Sequence, residues 1–272
     1  MKTSTRCVQL GRGHDAYGAI VPPIYQTATF EQLNATEFGE YDYTRSGNPT
    51  RTLLEQQLAD LEDGGYASCF ASGMAALTAL TRIVKAGEEI IAGDDLYGGT
   101  VRLLDRLASH QNISVRYVDT TDGNELRKAV TDRTRLVLIE TPTNPLFRIS
   151  DISELASIAR EAGAYLAVDN SMLSPVFQRP LNFGADIVVH SATKFLCGHS
   201  DVTAGALITN DPTLHKQLSF QQNAEGAGLS PFESWLLLRG LKTLALRVER
   251  QNASAEKIAR FLQTHPEVSK VF

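Results

Sequence analysis

The segments YLAVDNS, from Tyr165 to Ser171, and IVVHSATKF, from Ile187 to Phe195, each join a short apolar run to a polar turn. Short runs of apolar and β-branched residues that end in turn residues are typical of buried strands. If the two strands are neighbours in a parallel sheet, their carboxyl ends meet at one rim, where such sheets bind ligands. The two segments therefore predict that Asp169 and Lys194 emerge on the same side of a sheet.

The same pattern recurs along much of the chain. With the further strand-like runs included, the predicted strands are Glu88 to Ala92, Ser114 to Val118, Arg135 to Ile139, Tyr165 to Val168, Asp186 to Val189 and Ala204 to Ile208. Helical spacing of apolar residues predicts helices over Arg51 to Glu62, Met74 to Lys85, Thr100 to His110 and Ile152 to Ala162. Strands that alternate with helices at this spacing indicate βαβ units. The predicted fold class is therefore α/β, with a mainly parallel sheet flanked by helices.

A different pattern begins at Ser230. Ser230 and Pro231 are residue types expected at the cap and first position of a helix, and a helical pattern then runs from Phe232 to about Gln263, interrupted near Gly240. The run VSKVF, from Val268 to Phe272, predicts a strand. We expect this strand to open a second domain that continues beyond the given sequence.

The composition is that of an ordinary globular protein. The 272 residues include 26 Lys and Arg against 31 Asp and Glu, a formal net charge of -5, and 43% are hydrophobic. No stripe of basic residues supplies the concentrated positive field that attracts nucleic acids or anionic membranes. We therefore expect a small-molecule partner, with no nucleic acid and no membrane.

The cysteines and the N-terminal sequence bear on the compartment. Cys7, Cys69 and Cys197 are far apart and form no CxxC pair, so neither a disulfide framework nor a four-thiolate zinc site is expected. The opening MKTSTRCVQLGRGHD lacks the apolar core of a signal peptide, and no apolar stretch approaches the roughly 18 residues of a membrane span. These features predict a soluble, cytoplasmic protein.

Asp169 and Lys194 together suit a site for a cofactor that binds amines. A lysine in a tight turn of small residues is poorly solvated, and lysines that form Schiff bases are desolvated in this way. A carboxylate beside a pyridine ring keeps the ring nitrogen protonated. On these two residues alone, a surface lysine and a capping aspartate remain an open alternative.

A phosphate site is predicted by the segment FASGMAAL. Ser72, Gly73 and Met74 lie at the start of a predicted helix, whose N-terminal amides can bind a dianion. The hydroxyl groups of Ser191 and Thr193 can supplement these amides from the end of another strand. Neither a Walker loop nor a GxGxxG sequence is present, so the chain lacks the usual fingerprints of nucleotide binding.

Two more loops, GDDLYGG and ETPTNP, follow other predicted strands. Tyr97 lies beside glycines that allow a flat ligand to approach closely, so its ring can stack on a cofactor. Asn144 precedes a proline and offers an amide to a ring oxygen. Core packing of the tyrosine and a purely structural turn are the alternatives.

The motifs YTRSGNPT, SGMAAL, DDLYGG, ETPTNP, VDNS and HSATKFLCGHSDVTAG, with QNAEGAGLSPFESWLLLRGLKTLALR, resemble those of a known enzyme family. This is the Cys/Met-metabolism family of fold-type I enzymes that depend on pyridoxal 5′-phosphate (PLP). The motifs follow the family's order from Tyr43 to Arg247. The resemblance therefore covers essentially the whole chain and is highly specific.

The resemblance implies a role for each candidate residue. Lys194 binds PLP as a Schiff base, Asp169 contacts the pyridine nitrogen and Tyr97 stacks on the ring. Lys194 and Tyr97 are the implied catalytic residues. The remaining contacts to the cofactor come from Ser72, Gly73, Met74, Ser191, Thr193, Asn144, Tyr43 and Arg45.

The resemblance also implies a domain organisation. Residues 1–45 form an arm that reaches a neighbouring subunit, residues 46–240 form the PLP-binding domain, and residues 241–272 begin an incomplete C-terminal domain. The arm carries Tyr43 and Arg45 to the partner's phosphate, which implies a homo-oligomer, at least a dimer and by analogy a tetramer. The arginine that binds the substrate carboxylate in the family lies in the C-terminal domain, beyond Phe272.

Within the family, VDNSMLSP, HSATKF and QNAEGAGL resemble the branch that cleaves L-cystathionine by β-elimination. The implied products are L-homocysteine, pyruvate and ammonia, in methionine biosynthesis. Two alternatives remain: γ-elimination of cystathionine or formation of cystathionine by γ-replacement, and a chain that binds PLP but has little activity.

A metal site is the other interpretation of the lysine-bearing segment. His190, Cys197, His199 and Asp201 are metal-capable residues close together in sequence. Their spacing matches no common ligand pattern, and the same stretch carries the predicted Schiff-base lysine. We therefore expect no metal.

Overall fold

A computed structural model describes residues 1–9 and 17–272 of the chain. Its centre is one seven-stranded sheet with the strand order β1-β7-β6-β5-β4-β2-β3. The strands are β1 (Tyr66–Phe70), β2 (Glu89–Gly93), β3 (Ser114–Val118), β4 (Thr134–Glu140), β5 (Tyr165–Asp169), β6 (Ile187–His190) and β7 (Gly205–Thr209). Strands β2 to β6 are mutually parallel, whereas β7 is antiparallel to both of its neighbours, β1 and β6. The prediction of a mainly parallel α/β sheet is confirmed.

Helices cover both faces of the sheet. They are α1 (Thr3–Val8), α2 (Pro49–Leu61), α3 (Gly73–Thr81), α4 (Gly98–His110), α5 (Gly123–Ala129), α6 (Ile152–Glu161), α7 (Ser174–Phe177), α8 (Pro212–Ala224), α9 (Pro231–Leu241) and α10 (Leu244–Gln263), with a 3-10 turn at Pro180–Phe183. One face packs against α3, α4 and α8. The other packs against α2, α9 and α10 at one end and α5 and α6 at the other. Because both faces are buried, the central strands are apolar on both sides.

The change of pattern at Ser230 is a helix start, as predicted. The Ser230 side chain accepts a hydrogen bond from the backbone amide of Glu233 at 3.2 Å, and Pro231 occupies the first helical position. The helical pattern is interrupted between α9 and α10, at Lys242 and Thr243. The helix predicted from Met74 ends earlier than expected, at Thr81, because single turns of i to i+3 bonds replace it.

One sequence-based expectation differs from the structure. The predicted strand VSKVF is wrong: residues 268–272 have no regular structure, because no described strand lies beside them to complete a ladder. The predicted arm, residues 1–45, contains one helix, α1, which packs against α2, α7 and α10 of its own chain. Cys7 of α1 is buried in the core there, with 1% of its surface exposed. Residues 10–16 of the predicted arm lie outside the described residues.

The carboxyl ends of the parallel strands lie along one rim of the sheet. Glu140 of β4 pairs in register with Asp169 of β5, which pairs with Val189 of β6. The antiparallel strand β7 begins at this same rim, where Gly205 is paired with Phe70 of β1. The rim therefore gathers the turns after β1, β2, β4, β5 and β6. No helix in the described part of the chain is long and apolar enough to cross a membrane.

Candidate active site

The turn after β1 forms one end of the candidate site. The side chain of Ser72 caps α3 by accepting a hydrogen bond from the amide of Ala75 at 3.0 Å. Among the described residues, the amides of Gly73 and Met74 have no hydrogen-bond partner. Two free amides at the N-terminus of a helix are a suitable binding site for an anion.

Ser191 lies directly against this helix end. A side chain built on Gly73 would place its Cβ 3.1 Å from the Ser191 Cα and 3.2 Å from the Ser191 hydroxyl oxygen. A Cβ on Gly205 would likewise lie 2.8 Å from the Gly73 Cα. The two strand-end turns thus meet only because both positions are glycine. The structure therefore brings together the free amides and one of the two predicted hydroxyl groups.

Thr193 and Lys194 lie in the turn after β6. The hydroxyl of Thr193 accepts a hydrogen bond from the amide of Ala204 at 2.9 Å, so it ties this turn to the start of β7. Lys194 is exposed, and within residues 1–9 and 17–272 its ammonium group makes no hydrogen bond or ion pair. An unpaired lysine at a sheet rim is available to react with a carbonyl ligand.

Tyr97 is the N-cap residue of α4 and lies beside the turn after β1. A Cβ built on Gly99 would lie 3.0 Å from both the Tyr97 Cδ1 and the Met74 Sδ. The Tyr97 ring and the Met74 side chain are therefore near neighbours. With 46% of its surface exposed, Tyr97 is not a core residue. This excludes the packing alternative and leaves the ring face available for stacking.

Asp169 is the carboxylate at the other end of the candidate site. Its Oδ1 accepts a hydrogen bond from the amide of Ser171 at 2.9 Å, and the Ser171 hydroxyl accepts one from the amide of Ser191 at 2.6 Å. Burial raises the pKa of Asp169, while the hydrogen bonds from Ser171 and the charge of His190 oppose the increase. A cation bound beside Asp169 would favour its ionised form.

Glu140 is a second carboxyl group at this end that was not predicted from the sequence. Its Oε2 accepts a hydrogen bond from the backbone amide of Tyr97 at 3.0 Å, and only 8% of its surface is exposed. Burial, together with the nearby charge of Asp169, raises the pKa of Glu140 to about 7. Asn144, the predicted contact to a ring oxygen, is exposed in the turn that follows β4.

Tyr43 and Arg45 contact a different part of the chain. The Arg45 guanidinium donates two hydrogen bonds of 2.8 Å to Asn223, at the end of α8, and lies 5.4 Å from the centre of the Tyr43 ring. Within the described residues, neither side chain forms a hydrogen bond with the strand-end residues. Their predicted role at a neighbouring subunit remains a prediction.

The metal-capable residues near Lys194 are engaged in other contacts. His190 donates from Nε2 to the carboxylate of Glu62 at 2.6 Å, and Cys197 donates to the Asp201 carboxylate at 3.2 Å. No group of three or more His, Cys, Asp or Glu in residues 1–9 and 17–272 is arranged to hold a metal ion.

These residues fit PLP because the two ends of the site have opposite polarity. One end offers two free helix amides and the Ser191 hydroxyl, which suit a phosphate dianion. The other offers two carboxyl groups, the half-buried Asp169 and the buried Glu140, which suit a protonated ring nitrogen. Lys194 supplies the amine that the cofactor's aldehyde requires.

The structure adds positioning residues that lie far away in sequence. Glu62 and Arg247 hold His190 and the Lys194 turn, respectively. The only local signal for these residues was charge in an otherwise apolar helical pattern. Such a signal is weak, because most charged residues on helices face solvent.

Comparison with known proteins agrees with this geometry. The family described as Cys/Met metabolism PLP-dependent enzyme matches residues 4–272. The chain is 53% identical to the chloroplastic cystathionine β-lyase of Arabidopsis thaliana, over 99% of this chain and 58% of that protein. It is 45% identical to the cystathionine γ-lyase of Bacillus subtilis, over 100% of this chain and 72% of that protein.

A solved structure of a related enzyme has a closely similar fold. The crystal structure of cystathionine γ-synthase from Xanthomonas oryzae pv. oryzae in complex with cystathionine has a TM-score of 0.94 and 43% sequence identity. The match covers 99% of this chain and 70% of that one. The chain spans less than two thirds of the Arabidopsis relative's length.

Proposed function

The chain belongs to the Cys/Met-metabolism family of PLP-dependent enzymes, and we propose that it is a carbon–sulfur lyase that cleaves L-cystathionine. The proposed reaction is β-elimination, which gives L-homocysteine, pyruvate and ammonia and consumes one water molecule. The geometric observation that carries a PLP-dependent reaction is the opposite polarity of the two site ends beside the unpaired Lys194.

In this proposal the phosphate group is bound by the amides of Gly73 and Met74 and by the hydroxyl groups of Ser72, Ser191 and Thr193. Asp169 holds a proton on the ring nitrogen, Tyr97 covers the ring face, and Asn144 contacts the ring oxygen. When bound, PLP supplies an electron sink for the pair of electrons left by removal of the α-proton.

Lys194 has two tasks in the proposed reaction. It would hold the cofactor covalently through its ε-amine, and as a free amine it would remove the α-proton of the substrate as a general base. Breakage of the Cβ–S bond then releases a thiolate. The protonated Lys194 is the group in the site that can return a proton to that sulfur.

Support for β-elimination in particular comes from the similarity to relatives. Identity is 53% with the β-lyase of Arabidopsis and 45% with the γ-lyase of Bacillus. The motifs that contain Ser171 and Phe195, VDNSMLSP and HSATKF, add to this, because they resemble the branch that carries out β-elimination.

Incubation with L-cystathionine and PLP tests the proposal directly. Homocysteine with pyruvate is expected, whereas cysteine with 2-oxobutyrate would establish γ-elimination instead. Formation of cystathionine from cysteine and an activated homoserine ester would establish γ-replacement. Cofactor absorbance without any of these products would support the alternative of a PLP-binding chain with little activity.

A matched pair of variants tests the role of Lys194. Lys194→Ala should lose both the visible absorbance of the bound cofactor and product formation. Lys216→Ala, a change at an exposed lysine of α8, should retain both.

We also propose that the protein is at least a dimer, in which the exposed Tyr43 and the nearby Arg45 reach the phosphate bound by the partner subunit. Arg45→Ala should then weaken PLP binding, and light scattering should give a mass of at least two chains. A monomer that retains PLP would contradict this assembly. A cytoplasmic location and a tetramer remain predictions from the sequence.

A further inference from the structure

Glu140 connects three parts of the candidate site. It is the last residue of β4, in register with Asp169, and it is almost completely buried. Its carboxylate accepts the backbone N–H of Tyr97 at 3.0 Å, at the start of α4. The backbone amide of Asn144 also points towards this carboxyl group. No other described side chain accepts a hydrogen bond from the Tyr97 amide.

We propose that Glu140 is a positioning residue that fixes Tyr97 relative to Asp169. We further propose that the ionisation of the Glu140 carboxyl group is coupled to the binding of PLP. The inference rests on the cofactor site of the proposed function, but not on which bond the enzyme cleaves. Glu140 binds the backbone amide of Tyr97 and not its side chain. The ring is therefore free to contact a ligand, while the start of α4 stays fixed to the sheet rim.

The coupling follows from the charged groups around Glu140. Asp169 on β5 and Asp95 in the loop after β2 both favour the protonated carboxyl, as does burial, while the amides of Tyr97 and Asn144 favour the ionised form. Arg148, in the turn after β4, forms its ion pairs with Asp94 and Asp119. The balance leaves Glu140 with a pKa of about 7.

Cofactor binding should change this balance. A protonated ring nitrogen beside Asp169 adds a positive charge near Glu140, and a positive charge favours the ionised carboxylate. By reciprocity, ionisation of Glu140 must strengthen cofactor binding. The affinity for PLP should therefore rise as the pH increases through about 7, apart from changes caused by the cofactor's own groups.

Equilibrium binding of PLP to the cofactor-free chain tests this inference. Affinity is measured for wild type, Glu140→Gln, Glu140→Ala and the control Glu249→Gln at about pH 6 and about pH 8, on either side of the Glu140 pKa of about 7. The glutamine keeps an acceptor oxygen for the Tyr97 amide but cannot ionise. Glu249 is an exposed carboxyl group on α10, so its change should have no effect.

Near pH 6, the glutamine variant should bind PLP about as tightly as wild type. Between the two pH values, wild type should gain up to about tenfold more affinity than Glu140→Gln, the upper limit for one pKa unit of coupling. Glu140→Ala should bind more weakly at both pH values, because the Tyr97 amide loses its acceptor. Circular dichroism checks that each variant is folded.

Three results would overturn the inference. If the PLP affinities of wild type and Glu140→Gln change with pH in parallel, Glu140 ionisation is not coupled to PLP binding. If a folded Glu140→Ala binds PLP as tightly as wild type, Glu140 does not position Tyr97. A wild-type chain that binds no PLP would also contradict it. The product assay with cystathionine does not enter this test, so a failure of the proposed β-elimination can be told apart from a failure of the Glu140 inference.

Discussion

Arg247 of α10 lies across Gly198, at the end of the turn that carries Lys194. Its guanidinium group donates to the carbonyl oxygens of Phe195 at 2.8 Å and Gly240 at 3.0 Å. A Cβ on Gly198 would lie 2.8 Å from the Arg247 Nη2, and Gly198 has a positive φ of +72°. The arginine therefore connects the turn that carries Lys194 to the end of α9, next to the break between α9 and α10.

Arg247→Lys should loosen this turn. A lysine ammonium lacks the planar fork that reaches several carbonyl oxygens at once, so partly buried acceptors lose their partners. We expect the free energy of unfolding to fall by about 1–3 kcal/mol, measured in urea, together with weaker PLP binding. Arg250→Lys, at an exposed position of the same helix, is the control. Equal effects of the two changes would show that the Arg247 contacts are not important.

Gly205→Ala should disturb the phosphate end of the site. Its Cβ would lie 2.6 Å from the Ser72 carbonyl carbon and 2.8 Å from the Gly73 Cα, and both are backbone atoms that cannot turn away. We expect a loss of about 1–3 kcal/mol of stability from overpacking and weaker binding of both PLP and inorganic phosphate. Gly65→Ala, where the nearest atom is 3.6 Å away, should bind both as wild type does. Normal phosphate binding by Gly205→Ala would contradict the proposed phosphate site.

The buried pair of His190 and Glu62 should be sensitive to loss of one partner. Both side chains are 1% exposed, and the Glu62 Oε1 also accepts a 2.9 Å hydrogen bond from Asn170. His190→Leu leaves a buried carboxylate without its main partner, which typically costs about 3–5 kcal/mol. Urea unfolding should show that the double variant His190→Leu with Glu62→Leu is more stable than the sum of the two single changes predicts. Simple additivity would mean that the pair is not coupled.

Much of the fold could be predicted because its strands are marked locally. The runs ending at Asp169 and His190 are apolar on both faces, which is the pattern of central parallel strands. The direction of β7 could not be predicted, because a run such as Ala204 to Ile208 is equally apolar in either orientation. Its antiparallel direction follows from the return of the chain to the same rim without a crossover helix.

The positions of the candidate site residues could be predicted from the sequence only where those residues follow the end of a strand. Asp169, Lys194 and Ser191 follow apolar runs, so their position at the rim could be inferred from topology alone. Glu140 also ends a strand, but a single carboxylate there gives no sign that it holds the Tyr97 amide 43 residues away. Glu62 and His190 are separated by 128 residues, and only the packing of α2 under the sheet brings them together.

The stability of the cofactor-free chain should depend on pH through Glu140. This carboxyl ionises near its ordinary pKa of 4.5 when unfolded, but near about 7 when folded. Between these values the folded chain binds more protons, so the free energy of unfolding must fall as the pH rises. The contribution is fully present below about pH 4.5 and lost above about pH 7, and its upper limit is about 3 kcal/mol before solvent screening.

Urea unfolding across this pH range isolates the contribution when wild type is compared with Glu140→Gln. Asp169 and Asp186 also have pKa values raised by burial, so both proteins should lose stability with rising pH, and only the difference reports Glu140. That difference should change by up to about 3 kcal/mol in favour of the variant. Glu249→Gln should follow wild type throughout. Superimposable curves for wild type and Glu140→Gln would show that Glu140 ionises at the same pH in the folded and unfolded chain. That result would contradict the expectation that burial and the adjacent Asp169 raise the pKa of Glu140 in the folded chain.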